Sequence, residues 1–505
     1  MTGADPYRSP PNHYGPAPQP ARGYDAAKPT RLRTIRRARN TIDSDTRQGA
    51  RTLREAARWL DQNYDLALGV LDVLVRKTVG TGLMPEFLVR TRDGELATDL
   101  NNDLADWYTR WAKKPEVTGE LDYSHAQRIK ALHWFRDGEV FTQYLLGRVP
   151  GLTHGSEVPL SLELIPPDHV PIGLTDTASR LIQGVEKNGW GRPIAYRVQR
   201  GDIGPDLRNS LLLQAGDYRR IPAARMQHLK LTRHIRQTRG VSVFAAVLER
   251  FEDVRDYDES ERIAAKMAAH IAGFIKRGTP DMYDPENLSR DEYGQIIPRE
   301  HKFQPGMFFD FLETGEEIGM VDPKRPSNQF GTYRAENLRS IASGTGAAPS
   351  AVSNNYDGTY SSRRQEANEA AVHYQMLWSQ FCSVSEAPTA ARFVDMCIAA
   401  QLVRITPDVD LRTLHDVDFS RPAASAIDRQ KETKANETAL NSFQEALVDI
   451  WRREGRNPAD QWRKLAEQAR RLDSIQGAAP SRAPALTPDP DDDDAEDDDD
   501  EEAAA

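Results

Sequence analysis

Residues 243–275 read VFAAVLERFEDVRDYDESERIAAKMAAHIAGFI, and Phe244, Val247, Leu248, Phe251, Val254, Ile263, Met267, Ile271, Phe274 and Ile275 recur at steps of three and four along the second and first halves. That spacing predicts a continuous helix, roughly 50 Å long at 1.5 Å per residue. Such a length is more than one compact core needs. Its second half also holds Ala264, Ala265, Ala268, Ala269, Ala272 and Gly273, small residues that let neighbouring helices approach closely. Copies packed side by side would use this face, and so would ordinary packing within one chain. Residues 278–327 then break into turns and short apolar pieces, Met307 to Leu312 and Ile318 to Val321. Ser327 or Asn328 can cap a second helix reaching Ala342. A long helix, a compact excursion and a returning helix make a hairpin with a head.

Upstream, Leu53, Ala56, Ala57, Leu60, Tyr64, Ala67, Leu68, Leu71, Leu74 and Val75 predict one helix from Thr52 to Val79, which Gly80 and Gly82 end. Two further helices follow, one with Trp107 and Trp111, one from Ala126 to Phe135. The pattern then changes. Val140 to Leu146, Leu160 to Ile165 and Ile194 to Val198 are short, rich in branched and aromatic residues and bounded by Gly or Pro, so they read as strands. Downstream, Ser343 to Thr359 is rich in Gly, Ala, Ser and Asn and reads as a loop. Ser362 with Gln365 forms a capping box for a helix carrying Val372, Met376 and Trp378, and the chain stays helical to about Leu472. The class is α+β and mostly helical.

The two ends differ from this body in composition. Residues 1–34 form a Pro-rich arm, with Pro6, Pro10, Pro11, Pro16, Pro18 and Pro20 and few aliphatic residues, and are expected to be disordered. Arg31, Arg33, Arg36, Arg37 and Arg39 follow with no acid between them. They suit a solvated helix start, an arm on a neighbour or contact with DNA. At the other end, residues 477–505 hold twelve acids, Asp489, Asp491 to Asp494, Glu496, Asp497 to Asp500, Glu501 and Glu502. Such a run is expected to stay solvated. The formal net charge is -10, so without those twelve acids the rest of the chain carries +2. The body is therefore nearly neutral and is not repelled by DNA. Cys382 and Cys397 are too few for a disulfide framework and read as buried thiols of an intracellular protein. No signal-like or membrane-spanning stretch occurs, so neither secretion nor a membrane is expected.

A search for chemistry gives no catalytic, cofactor or metal site. The chain has no G-x-x-x-x-G-K-[ST], no H-E-x-x-H and no G-x-S-x-G. His228 and His234 are flanked by Lys and Arg. Asp137 and Glu139 on either side of Gly138 could be pictured as paired metal ligands, but a turn into the following strand is the plainer reading. Asp168 and His169 are adjacent on an extended segment and point apart.

Several of these pieces, in order, resemble the lambda-type family of tailed-bacteriophage portal proteins over roughly residues 35–470. Ala56, Arg58, Leu60, Asn63 and Ala67 lead to Val79-Gly80-Thr81-Gly82-Leu83, similar to the family's opening helix and its Val-Gly-x-Gly turn. Arg136-Asp137-Gly138-Glu139-Val140, Leu162-Glu163-Leu164-Ile165 before Asp168, and Gly184-Val185-Glu186 with Gly191-Arg192-Pro193-Ile194-Ala195-Tyr196 follow. The sharper pieces are Arg236-Gln237-Thr238-Arg239-Gly240-Val241-Ser242, Pro305-Gly306 with Gly315-Glu316, and Tyr360-Ser361-Ser362-Arg363. Thr359 stands where the family pattern has Asn, and Asp428-Arg429-Gln430-Lys431-Glu432 carries Arg429 where Pro is the family residue.

The resemblance implies a ring of about twelve identical subunits with wing, stem, clip and crown regions around an axial channel. On that plan 35–242 is wing, 243–277 the first stem helix, 278–327 clip, 328–343 the second stem helix, 344–359 the channel loop and 360–476 wing and crown helices. It also implies a place at the capsid vertex in the virion, with assembly in the host cytoplasm. Its partners are double-stranded DNA read without sequence specificity, the terminase large subunit, the major capsid or scaffold protein, and head-completion or connector proteins. The absent P-loop agrees with an ATPase residing in the terminase. Within the loop, Asn354 and Asn355 offer uncharged donors and Asp357 a mild repeller, which suits DNA that must slide. A non-ring head protein and an enzyme with scattered carboxylates are the competing readings. A ring with a central hole in electron micrographs separates all three.

Overall fold

The computed structural model of the chain describes residues 40–200, 218–270, 274–277, 292–293, 316–319, 330–422 and 429–476. The basic segment 31–39, the tail 477–505 and nearly all of the 278–327 excursion lie outside them. Helix α1 (Ile42–Asn63) starts at Thr41, whose hydroxyl accepts from the Ser44 amide. Helix α2 (Asp65–Thr78) follows after a single extended residue, Tyr64 (φ -135°, ψ 114°). The expected single helix is thus two. Asn63 and Asp65 favour local side-chain bonds over helix, and Asp65 Oδ1 takes the Leu66 amide at 2.8 Å. The break also sets the Tyr64 ring edge-on to Phe251, 5.9 Å between centroids. Gly80 ends α2 as expected, at φ 61°.

Next come β1 (Pro85–Phe87), α3 (Thr98–Trp111), α4 (Tyr123–Arg136), β2 (Glu139–Leu146), β3 (Leu160–Ile165), β4 (Leu181–Ile182), β5 (Val185–Lys187), β6 (Pro193–Gln199), β7 (Tyr218–Pro222) and β8 (Met226–Lys230). Two antiparallel sheets result, ordered β3-β2-β8 and β4-β5-β6-β7. Strands β2, β3 and β6 lie where the branched and aromatic runs put them. The long helix is shorter than its periodicity: a 3-10 turn at Val243–Ala246 precedes α5 (Leu248–His270), and Phe274–Arg277 is strand β9, paired antiparallel with β10 (Glu316–Gly319). At 23 residues, α5 spans about 35 Å. Phe274 and Ile275, read as the helix's last apolar turn, belong to a two-strand ribbon that closes the base of the excursion.

Helix α6 (Phe330–Thr345) returns along α5. Tyr257 meets Phe330 and Tyr333, while Arg250 Nη1 reaches Asn337 Oδ1 at 3.4 Å. Contacts that run in opposite chain directions make the pair antiparallel. After it come α7 (Pro349–Ser353), α8 (Tyr360–Phe381), a π-helical turn (Cys382–Glu386) and α9 (Ala387–Ala399). The π turn has a cause in Pro388, which cannot donate to the Val384 carbonyl four residues back. Gln227 Nε2 fills the vacancy, donating to Val384 O at 3.0 Å and Ser385 O at 2.7 Å. The turn also drives Glu386 into the core, where Tyr123 OH (2.7 Å), Gln127 Nε2 (2.6 Å) and Lys130 Nζ (3.2 Å) hold it. Strand β11 (Val417–Phe419) pairs antiparallel with β1. Helices α10 (Arg429–Asn441), α11 (Leu447–Arg453) and α12 (Pro458–Gln476) end the described chain. Both cysteines are free and buried.

Helices and sheets meet at Glu139, which is fully buried. Its carboxylate takes Arg54 Nη2 of α1 (3.0 Å), Arg239 Nε (2.8 Å), His228 Nε2 of β8 (2.9 Å) and the Gly240 amide (2.9 Å). Arg239 spends its other donors on Val170 O (2.7 Å), Gln183 O (2.9 Å) and Pro167 O (3.1 Å). Two residues earlier, Asp137 accepts both arms of Arg58 (3.0 and 2.9 Å) and bonds with Arg136 and His133. Asp168 closes the network between Arg54 (2.8 Å) and Arg58 (2.6 Å). The glycines allow the approach. A Cβ at Gly138 would lie 2.3 Å from Val241 C, and one at Gly240 2.0 Å from Gly138 O.

Burial alone would raise the Glu139 carboxyl, but the Arg239 charge with the His228 and Arg239 hydrogen bonds outweighs it and holds the group well below the usual range. Asp137 is likewise raised by burial and lowered further by its bonds to His133, Arg58 and Arg136. His228 is pushed by burial from 6.5 down to about 4 and stays neutral. Glu139→Gln keeps the shape yet leaves two buried guanidiniums short of charge, so it is expected to cost about 3–5 kcal/mol in urea unfolding. A second outcome concerns pH. Because only the unfolded His228 takes up a proton between pH 6.5 and about 4, stability falls as pH falls through that window. Below about 4.5 the unfolded carboxylates protonate before Glu139 and Asp137 do, and the loss continues. Melting temperature against pH should flatten across the upper window in His228→Asn.

Candidate functional site

The segment after α6 is not one plain loop. Thr345 still belongs to α6, and Gly346 (φ 77°) reverses the chain where a Cβ would strike the His373 ring at 2.2 Å. Ala347 and Ala348 are buried, and the Ala348 amide donates to Tyr374 OH at 2.9 Å. Pro349 then opens the one-turn α7, whose first amides find an acceptor on the next helix: Ser350 N and Oγ both donate to Glu366 Oε1, at 2.9 and 2.8 Å. Asn354 ends that turn in the left-handed region, φ 51°. Residues 344–352 are therefore an anchor, and the exposed part of the expected loop is the tip 353–359.

The tip folds on its own polar groups. Asn355 Oδ1 accepts from the Asp357 amide at 2.8 Å, an Asx turn. Arg363, one turn into α8, donates to Asn355 O at 3.0 Å and to Asp357 O, and its guanidinium lies 5.8 Å from the Tyr356 ring centre. The cation nearest the tip is thus turned toward the tip's own carbonyls. Asn354, Asn355 and Asp357 are all exposed, as is Tyr356, which the composition of the segment did not single out. Arg364 is exposed as well, with no partner among the described residues. Its signal was the doubled arginine at the end of the Tyr360-Ser361-Ser362-Arg363 piece. Behind the anchor, burial and the nearby Arg233 push His373 down from its usual value, so it adds no charge.

Helix α8 starts one turn before the expected capping box. Thr359, not Ser362, is the N-cap, its hydroxyl accepting from the Ser362 amide at 3.4 Å and lying 3.3 Å from Ser361 Oγ. Gln365 points along the helix to Glu369 instead. Thr is an N-cap of the same kind as Asn, so Thr359 keeps the local role that position needs. The remaining motif positions are interior. Gly80 sits against Pro422 and Gly82 (φ 126°) against Ser124, each where a Cβ would clash. Gly138, Glu139, Arg239 and Gly240 form the buried charge network, and Gln237 frames it, its Nε2 donating to Arg239 O at 2.8 Å. Asp137 and Glu139, pictured as paired metal ligands, face different arginines, and Asp168 is engaged by Arg54 and Arg58 and not by His169.

Residues 28–377 match the family described as phage portal protein, lambda family. The chain is 24% identical over 481 residues to a probable portal protein of the Halomonas phage phiHAP-1, an alignment covering 91% of this chain and 90% of that one. Among solved structures it is similar to the neck of a native GTA particle computed with C12 symmetry, at 12% identity and TM-score 0.45, covering 80% of this chain and 94% of that chain. The neck of an empty GTA particle computed with C6 symmetry gives 13% identity and TM-score 0.43, covering 81% and 95%. With well over half its length matched by the family, and with that family's glycines and charges found where the fold needs them, the chain belongs to the lambda family of phage portal proteins.

Proposed function

We propose that copies of the chain close into a ring of about twelve subunits at one capsid vertex, and that double-stranded DNA enters and leaves through the axial channel. In this reading α5 and α6 are the stem, residues 278–327 the clip that meets the terminase large subunit and later the connector proteins, and α10–α12 part of the crown. The outer face meets the major capsid or scaffold protein. Nucleotide hydrolysis belongs to the terminase, and the ring itself is no enzyme.

One observation carries the reading of the channel: the exposed tip 353–359 offers Asn354, Asn355 and Asp357 while Arg363 is occupied by the tip's own carbonyls. DNA that must slide needs contacts that do not accumulate. Each phosphate neutralised by a cation steepens the salt dependence of binding by about 0.9 in log-log slope. A tip without Lys or Arg on an anchored base sets the fit of the channel without pinning phosphates. Arg364 beside it supplies one charge per subunit for weak attraction.

Electron micrographs of the purified chain should show rings with a central hole, with no ATP turnover that follows the subunit through purification. Monomers alone at high concentration would overturn the ring. Asn354→Lys with Asn355→Lys adds two charges per subunit on exposed positions, so the ring should still assemble. Packaging should slow or stall in that variant and recover partly at higher salt, and normal packaging rates at low salt would remove the tip from the DNA path.

A further inference from the structure

A groove of about 580 Å³ lies between the β5–β6 turn and the segment after β8, lined among others by Asp43, Arg180, Lys187, Trp190, Lys230 and Arg236. Asp43 is the one carboxylate in that lining against four cations, and it is already taken by the Thr238 amide and hydroxyl. Lys187 and Lys230 bond to Thr238 and to the carbonyls of residues 237 and 238. Arg180 and Arg236 differ: both are exposed, and neither guanidinium has a partner among the described residues. Both also hold left-handed backbone, φ 55° and 65°. For a residue with a side chain that is uncommon and costs energy. Gln183, at φ 53°, has an internal reason, since it bonds Asp43 O and Arg239. The two arginines sit in hydrogen-bonded turns, Arg180 N donating to Thr177 O and Gln237 N closing the turn around Arg236 onto His234 O, so what is left unassigned is the pair of free guanidiniums. Beside them stand two large apolar side chains left in water, Trp190 at 91% and Ile235 at 94% exposed.

The groove thus asks for an extended anion with an apolar side. The chain has such a segment after its last described helix. Residues 485–494 read ALTPDPDDDD. Leu486, Pro488 and Pro490 supply apolar groups that suit Trp190 and Ile235, because proline-rich chains dock on exposed aromatic rings at little entropic cost. Asp489 and Asp491 to Asp494 supply the charge that suits the free arginines. Leu486 is ten positions beyond Gln476, a reach of up to about 35 Å. The other terminus is excluded by charge. Residues 28–39 carry six cations and no acid. A concavity of this size admits an extended polypeptide, whereas duplex DNA presents its phosphates on a convex surface that spans such a groove.

We propose that this groove is the docking site for residues 486–494 of the chain's own acidic tail, from the same or a neighbouring subunit. The test uses the full chain and a carbodiimide, which joins a carboxylate to a lysine amine with no spacer. At low salt, amide links from Lys187 or Lys230 to residues 489–494 should be found by mass spectrometry. Their yield should fall at least about tenfold in Arg180→Gly with Arg236→Gly and also at high salt. Glycine relieves the left-handed backbone, so this variant should melt no lower than the parent. Trp190→Ala should weaken the links with the arginines intact. Links that persist at full yield in the glycine variant, or tail carboxylates joined to Lys28 and not to the groove, would overturn the proposal. So would links that vanish when a short duplex is added but are indifferent to the glycine substitutions, since that pattern makes the arginines bystanders.

Discussion

A buried carboxylate with more donors than it has charge organises this protein. Glu139 is reached by Arg54 from the first helix, by Arg239 from the segment before the α5–α6 pair, by His228 from the neighbouring strand and by the Gly240 amide. Burying ions costs several kcal/mol each, which their attraction offsets only with good geometry and few idle donors. The geometry here meets that condition, because Arg239 has an acceptor on every arm. No element that supplies a partner can move alone without stranding a charge. Helix α1, strands β2 and β8 and the turn at Pro167–His169 are thereby fixed to one another before the apolar core is counted.

Much of this was legible in the sequence, and the rest fails for stated reasons. Periodicity found the helices, and branched and aromatic runs bounded by Gly or Pro found β2, β3 and β6 nearly to the residue. It overran at Tyr64 because an apolar residue at the right step looks the same inside a helix and at a break. It overran again at Phe274 and Ile275, where strand pairing with Gly319 and Ile318 decides the outcome. The charge network was visible only as scattered pieces in a family-like order. Glu139 and Arg239 are one hundred residues apart, and nothing local says they touch. Arg54 was passed over for the same reason. Pro388 did carry a readable signal for the π turn, but not for Glu386 entering the core behind it.

The candidate tip teaches a different lesson about composition. Within 344–359 the exposed residues Asn354, Asn355 and Asp357 all fall in the second half, because the first half of the segment is an anchor. The first turn of α8 belongs to the tip, since Arg363 bonds across to it. A tip without free cations was achieved here by using a cation internally as well as by omitting cations. The same sorting runs through the body: Arg54, Arg58, Arg136 and Arg239 are consumed by Asp61, Asp137, Glu139 and Asp168.

The two regions are mechanically joined. Ser242 follows the charge network directly and caps the turn at Val243–Ala246 that starts α5. The end of α6 returns to that place, where Gly344 lies so close that a Cβ would sit 2.3 Å from Val247. Two residues on, Gly346 rests on His373 of α8, which also holds the tip through Arg363. The root of the α5–α6 pair is therefore clamped between a network that cannot yield without exposing buried charge and a helix that carries the tip. The packed contacts at the root of the α5–α6 pair and those that hold residues 353–359 are therefore shared through Gly346, His373 and Arg363 on one continuous helix.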